Sequence, residues 1–234
     1  MHLFYSNNTS NKNLILSENE SNHCVLVMRK KIGDKILITN GQGVIYSAII
    51  QNIEKKIVQC KLLEIISENL RKKYVHIAIA PPKNKTRFEW FLEKATEIGI
   101  DEISPLICEK SEKKTINQKR SEQILISAMK QCQSGVLPKL NRPITFNDFI
   151  QKTTNPTFIA HCFQKNNKLN FKNILQKKPK LKKITVLIGP EGDFTLKEIN
   201  YSAKFNIKAI SLSSQRLRTE TAAIVTCNMI EVLL

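Results

Sequence analysis

Two stretches of this 234-residue chain have the composition of ligand-holding loops rather than of ordinary connections. The first is Gly189-Pro190-Glu191-Gly192-Asp193-Phe194, set between the apolar run Ile184 to Ile188 and a helix opened by Thr195. The second is Ser213-Ser214-Gln215-Arg216-Leu217-Arg218-Thr219-Glu220-Thr221-Ala222, which follows the apolar run Ile207 to Leu212. Glycine permits positive φ and lets a ligand approach the main chain closely. In open α/β sheets, ligands gather at the carboxyl ends of strands, where both stretches fall. Together they carry three carboxylates (Glu191, Asp193 and Glu220) and two arginines, groups able to orient a polar ligand and stabilise developing charge. On spacing alone, tight turns bearing a surface ion pair read equally well.

Several familiar chemistries are excluded. No G-x-x-x-x-G-K-[ST] occurs, so a Walker-type triphosphatase is not expected, and no G-x-G-x-x-G follows a strand. The Gly41-x-Gly43 pair lies between two strands and reads as a turn. The six cysteines form no Cys-x-x-Cys pair and sit mostly in apolar runs, as buried reduced thiols do. The four histidines are scattered, and no metal site is expected. No apolar run approaches the ~18 residues that span a bilayer. Met1 to Ser10 does not resemble a secretory signal, so the expected compartment is the cytoplasm. The net charge of +17 is uneven, with 8 Lys+Arg against 6 Asp+Glu in residues 1–70 and 29 against 14 in residues 71–234. Such an excess favours an anionic polymer as partner. A lysine-, asparagine- and isoleucine-rich composition also accounts for part of it.

The elements that must position the two loops follow from periodicity. Residues 1–70 read as a small β-rich unit. Ser17-x-x-Glu20 opens a short helix toward Met28. Strands follow at Ile36 to Thr39, Val44 to Ile50 and Ile57 to Ile66, with Asn40-Gly41-Gln42-Gly43 as a hairpin turn. Glu68 to Lys73 reads as a linker. Beyond it, strands alternate with helices. Val75 to Ala80, Ile103 to Cys108, Phe158 to Cys162, Ile184 to Ile188 and Ile207 to Leu212 are expected strands. Helices are expected after the capping boxes Thr86-x-x-Glu89 and Thr195-x-x-Glu198, through Ile124, Ala128 and Cys132 to about Gly135, and from Glu220 to Leu234. Gly99 suits a helix end. The stretch from Lys177 to Lys183 reads as a solvated loop. This alternation predicts a mostly parallel sheet with helices on both faces.

The paired segments Gly189 to Phe194 and Leu212 to Ala222 resemble the signature of the RsmE-type 16S rRNA uridine-N3 methyltransferases of the SPOUT superfamily. The resemblance extends to His23 to Tyr46, with Asp34 and Gly41-Gln42-Gly43, which is similar to that family's amino-terminal PUA-like RNA-binding barrel. It also takes in Lys83 to Gly99, with Lys94-Ala95-Thr96-Glu97-Ile98-Gly99, and Leu106 to Ser111. It implies an α/β fold: a SPOUT trefoil-knot methyltransferase domain at 74–234 preceded by a small PUA-like β-barrel at 1–70. Two positions depart from the pattern. Ser213 stands where the family usually has glycine, and Gln133-Ser134-Gly135 lacks an arginine often found there, leaving its task to Lys130 or Lys139.

The resemblance further implies S-adenosylmethionine as cofactor. Donor contacts carried over by position are Leu187, Ile188, Gly189, Glu191, Gly192, Leu212, Ser213, Leu217 and Arg218, with His161 and Cys162 as candidates for the pocket wall. A buried structural histidine is the alternative for His161. Uridine N3–H is a weak acid, so methylation there needs a proton acceptor and stabilisation of charge on the ring oxygens. Glu191 and Glu220 are the implied acceptors and Arg218 the electrostatic partner; the alternative for Glu220 is purely structural, a negative charge stabilised in the first turn of the last helix. Arg29, Lys83, Arg87 and Lys130 are the implied RNA contacts. The implied partners are 16S rRNA in the small ribosomal subunit and a second copy of the chain.

Overall fold

Alternating buried residues organise the first seventy residues into an antiparallel-rich sheet. The computed structural model describes residues 2–69, 71–163 and 168–234, and the chain divides into two compact units: 1–71 with 126–137, and 72–125 with 138–234. Segment 126–137 thus groups with the amino-terminal residues although it lies far along the chain.

In the first unit, strands β1 (Leu3–Tyr5), β2 (Asn13–Ile15), β3 (Lys35–Thr39), β4 (Val44–Glu54) and β5 (Ile57–Glu68) form one sheet in the order β1-β3-β4-β5-β2. Ile36 and Ile38 of β3, Ala48 and Ile50 of β4, and Val58, Cys60 and Leu62 of β5 alternate inward and share a core with Phe4, Leu16 and Cys24. Register shifts along the β4–β5 pair at Tyr46 and near Ile50 bend this long ribbon. Helix α1 (Glu18–Asn22) starts at Ser17, whose side chain accepts from the Glu20 N–H, and continues as a π-turn over His23–Val27. Glu20 does not return to close the expected box. Its carboxylate instead accepts from the Tyr5 N–H and pairs with Lys130 at 2.6 Å.

The second unit contains β6 (Tyr74–Ile79), α2 (Lys85–Ile98), β7 (Glu102–Ile107), the start of α3 (Gln118–Cys132), β8 (Lys139–Leu140), β9 (Ile144–Thr145) and α4 (Phe146–Lys152). It continues through β10 (Thr157–Ala160), β11 (Leu169–Asn170), α5 (Phe171–Lys177), β12 (Lys183–Ile188), α6 (Leu196–Ala203), β13 (Lys208–Ser211) and α7 (Thr219–Leu233). Its strands form one eight-stranded sheet in the order β11-β13-β10-β12-β6-β7-β8, with β9 also on β7. Every pairing in it is parallel. The central strands are apolar throughout because both faces are covered. Ala78, Ala80, Ile159 and Leu187 pack with Phe149, Phe194 and Ile199 on the side of α4 and α6. Their alternating neighbours, among them Ile77 and Ile79, are equally buried, and α7 packs on β6, β12 and α2.

Helix ends follow local chemistry. Thr195 and Glu198 make a complete reciprocal capping box for α6. Gly99 ends α2 with φ of 112°, a conformation a side chain would resist. The expected box at Thr86 is displaced: Asn84 is the cap of α2 and accepts from the Thr86 N–H at 2.9 Å, while Glu89 turns to Arg120. No helix among the described residues is long and apolar enough to cross a membrane.

Candidate functional site

Strand order decides where the site falls. β10 lies between β13 and β12, so the chain passes from β12 through α6 to β13 across the position of β10. Three adjacent strands thus deliver their carboxyl ends to one place. A cleft of about 790 Å³ opens there, lined by Ala160 to Cys162 after β10, by Ile188 to Glu191 and Asp193 after β12, and by Ile210 to Thr219 around the end of β13. Arg87, Lys168 and Ala222 complete the lining. Pockets of a few hundred to about 1,000 Å³ are the size that encloses a nucleoside-like ligand.

The first loop is shaped by a phenylalanine. Phe194 is fully buried and its ring lies 5.5 Å from that of Phe146. A β-carbon on Gly189 would stand 3.0 Å from the Phe194 ring and 3.1 Å from its backbone nitrogen. Glycine is needed at 189 for close approach, not for left-handed backbone. The positive φ of this loop falls on Asp193, at 62°, which aspartate tolerates better than most side chains. One Asp193 oxygen accepts from its neighbour Phe194 N–H and the other from Cys162 N–H, both at 2.8 Å. The aspartate thereby fastens the β12 loop to the end of β10.

The second loop is fastened to the first by one hydroxyl. Buried Thr219 donates from Oγ1 to the Gly189 carbonyl at 3.0 Å. Within the second loop, Ser213 Oγ accepts from the Gln215 N–H, and the Ser213 carbonyl accepts from Ser211 Oγ. Ser213 is exposed and has no positive φ, so serine fits without strain where the resembled family usually has glycine.

Of the expected donor contacts, Ile188, Gly189, Glu191, Leu212, Ser213, Leu217 and Arg218 line the cleft. Leu187 does not: one residue from Ile188 along a strand, its side chain points to the opposite face and is fully buried against the α4–α6 side. Gly192 also stands outside the lining, its carbonyl accepting from Lys110 Nζ at 2.9 Å. Arg218 precedes the first residue of α7 and is exposed; its carbonyl accepts from the Ala222 N–H, while its guanidinium makes no hydrogen bond or ion pair with the described residues. Glu191 is exposed and accepts from the Lys83 N–H at 3.0 Å. Glu220 is only 6% exposed; one oxygen lies 3.7 Å from Arg87 Nε and the other has no hydrogen-bond partner among the described residues.

The four expected RNA contacts fare differently. Arg29 is exposed in a left-handed conformation with φ of 51°, and Lys83 is exposed beside Glu112. Arg87 belongs to the cleft wall. Lys130 is a structural cation: it is sequestered by Glu20 and lies over the Phe4 ring at 5.7 Å. Lys168, absent from the expectations, lines the cleft and donates to the His161 carbonyl at 3.1 Å. No spacing signal in the sequence marks it. His161 is 7% exposed and neither ring nitrogen has a hydrogen-bond partner among the described residues. Burial pushes its pKa below the ordinary imidazole value, Lys168 adds to the fall, and Asp193 opposes it.

An all-parallel sheet whose three neighbouring strand ends share a cleft, built of tied loops with an unpaired arginine, defines an α/β domain made to hold a polar ligand. Comparison with known proteins gives the particular kind. Residues 69–231 match the RNA methyltransferase domain family and residues 16–63 the RNA methyltransferase PUA domain. The chain belongs to the RNA methyltransferase family. It is 29% identical over 222 residues to the ribosomal RNA small subunit methyltransferase E of Rickettsia conorii, covering 94% of this chain and 89% of that one. Among solved structures, a probable rRNA-methyltransferase from Porphyromonas gingivalis superposes with a TM-score of 0.88 at 31% identity, covering 100% of this chain and 98% of that one. A Legionella pneumophila protein solved in complex with its bound cofactor S-adenosylmethionine gives 0.84 at 25% identity, over 99% and 96% of the two chains.

Proposed function

We propose that this protein transfers the methyl group of S-adenosylmethionine to N3 of a uridine in small-subunit ribosomal RNA. The observation that carries the reading is the cleft between two tied loops, in a chain that aligns over 99% of its length with a relative solved with this cofactor. The target class follows from relatives named as small-subunit rRNA methyltransferases.

The residues fit the cofactor. Ile188, Gly189, Leu212 and Leu217 line the cleft, and the buried ring nitrogens of His161 stand without hydrogen-bond partners among the described residues. When bound there, S-adenosylmethionine supplies a sulfonium-activated methyl carbon. The chain's own residues must then align the target nitrogen, accept its proton and balance charge on the ring. Arg218, exposed and unpaired at the cleft, is placed to stabilise negative charge on a uracil oxygen. Glu220, with one buried oxygen unpartnered beside Arg87, is the better-placed acceptor; Glu191 is already engaged by the Lys83 N–H. The negative charge of Glu220 also lies in the first turn of α7, where a helix end favours it.

N3 lies on the Watson–Crick edge, so the target base must be unpaired or turned out of its stack. The amino-terminal unit (1–70) and the exposed cations Arg29 and Lys83 grip phosphates, so affinity falls steeply with salt. The active form is a cytoplasmic homodimer in which the apolar final helix packs against its copy. The test is nucleoside mass spectrometry of small-subunit RNA incubated with enzyme and isotopically labelled donor. Labelled 3-methyluridine supports the reading; label on another base, or none, removes it.

A further inference from the structure

Residues 149–190 hold nine lysines and not one aspartate or glutamate. Part of that charge gathers round a second cavity, apart from the cleft. About 510 Å³ opens between α5 and the amino ends of β10 and β13, whereas the cleft lies at their carboxyl ends. Phe158, Leu169 and Ile174 give it an apolar lining, and Leu169 is 44% exposed. Lys177, Lys178 and Lys208 line it as well, and no carboxylate does. The side chains of these three lysines make no hydrogen bond or ion pair with the described residues. A lysine on a solvated surface needs no ligand, and Lys177 in the last turn of α5 suits that helix end. Neither reason reaches Lys208, which belongs to β13, or explains why an exposed leucine shares their cavity. Three cations round one apolar hollow repel one another, and an anionic ligand relieves that repulsion.

We propose that this cavity is an accessory RNA site, which takes an unpaired nucleotide of the substrate. Such a nucleotide has an apolar-faced base and a phosphate on either side. The base meets Phe158, Leu169 and Ile174, and the phosphates meet Lys177, Lys178 and Lys208. The amides of Asn173 and Asn206, also in the lining, face the polar edge of the base, the kind of contact by which single-stranded RNA is read. β10 has only four residues, ~13 Å of rise, so RNA held here is within a few nucleotides of the cleft. The assignment rests on the reading of the protein as an enzyme acting on RNA. It adds a grip on the strand beside the target, at the far end of the same strands.

Fluorescence anisotropy with a short oligouridine, and with a blunt RNA duplex of equal length, tests both halves of the site. The triple variant Lys177→Ala, Lys178→Ala, Lys208→Ala should bind oligouridine about tenfold or more weakly. Its slope of log affinity against log salt should fall by about 2, at roughly 0.7 per phosphate contact on a single strand. Ile174→Trp fills the hollow without changing charge; it should weaken oligouridine about fivefold and leave the duplex, which offers no free base, within about twofold. Thermal melting shows whether each variant is folded, and Asn173→Asp, at an exposed position, replaces Ile174→Trp with the same expectation if the latter melts early. Calorimetry with S-adenosylmethionine should give the wild-type affinity throughout. Wild-type oligouridine binding by the triple variant overturns the site, as does equal loss of donor affinity. Poly-glutamate competing as well as RNA of equal charge, with no effect of filling the hollow, reduces the rim to a general polyanion surface and also overturns it. A wild-type protein that binds S-adenosylmethionine but neither RNA overturns the RNA-directed reading together with the site. Rim-dependent binding of oligouridine without labelled 3-methyluridine in small-subunit RNA keeps the site and removes only the target.

Discussion

Replacing Thr219 with valine removes one hydroxyl while keeping the branched side chain's volume. That hydroxyl is the donor in the 3.0 Å bond to the Gly189 carbonyl, and Thr219 is 5% exposed, so water is a poor substitute. A buried carbonyl left without its partner costs about 1–3 kcal/mol. At ~2 kcal/mol, and with a shift of roughly 2–4 °C per kcal/mol for a domain of this size, the melting midpoint should fall by roughly 4–8 °C. The first turn of α7 keeps its own bond from the Ala222 N–H to the Arg218 carbonyl, so the helix start should survive. The same hydroxyl holds the two cleft loops together before any ligand binds. An untied pair must be ordered on binding, which can weaken S-adenosylmethionine by up to about thirtyfold if the whole ~2 kcal/mol appears there. Scanning fluorimetry and calorimetry measure the two effects. Thr219→Ser keeps the donor and should restore both. A valine variant with wild-type midpoint and affinity refutes the tie, as does a serine variant that behaves like valine.

Arg218→Ala should fold and still bind donor, but lose about 10²–10³ in methyl transfer to RNA, the usual effect of deleting one charge-stabilising group; transfer at the wild-type rate in a radiolabel assay rules that role out. Gly189→Ala drives a β-carbon to 3.0 Å from the Phe194 ring, and overpacking there should cost about 1–3 kcal/mol in chemical denaturation. An unchanged midpoint would show that the loop yields freely. Burial pushes the thiol of Cys24 up to about 11 and those of Cys60 and Cys227 up to about 12, whereas Cys132 and Cys162 are exposed. Since the thiolate is the reactive form, iodoacetamide near pH 8 should mark only Cys132 and Cys162 in the native protein, and saturating donor should protect Cys162, on the cleft wall, but not Cys132. Burial first of all holds His23, His76 and His161 below the ordinary imidazole value of 6.5. The unfolded chain therefore binds more protons than the native one below that value, so stability present above it should be lost as pH falls toward the native pKa values. A melting midpoint that rises from pH 7.5 to 5.5 contradicts this sign.

How far the sequence announced all this differs from element to element for physical reasons. Thr195-x-x-Glu198 was legible because both halves of the capping box are used. Thr86-x-x-Glu89 has the same letters and fails, because Asn84 offers a side-chain acceptor two residues earlier and Glu89 finds Arg120 at 3.4 Å. Strands β8, β9 and β11 have two residues each, too few to show any period. Helices α4 and α5 have seven residues each and, although capped by Thr145 and Asn170, are too short for an apolar stripe to stand out. The two cleft loops were visible because glycine, proline and arginine interrupt apolar runs there. The pairing of Lys130 leaves no trace in the sequence because its partner, Glu20, lies 110 residues away along the chain.

Leu187 shows a deeper limit. In a half-buried strand, alternation of apolar and polar residues tells which side chains face the core. β12 reads Lys-Ile-Thr-Val-Leu-Ile and is buried from Ile184 onward, with neighbours β10 and β6 on either edge and helices over both faces. Such a strand carries no parity in its sequence, so Leu187 and Ile188 look interchangeable as cleft residues. Only the fold separates them, sending Leu187 to Phe149 and Phe194 and leaving Ile188 at the cleft. The same logic applies to His161. A lone histidine at the end of an apolar strand has the pattern of a satisfied core residue, and only the assembled strand ends show that its two nitrogens have no partner among the described residues. Functional residues on buried parallel strands are thus best found by unmet hydrogen-bonding capacity, a property that exists only after folding.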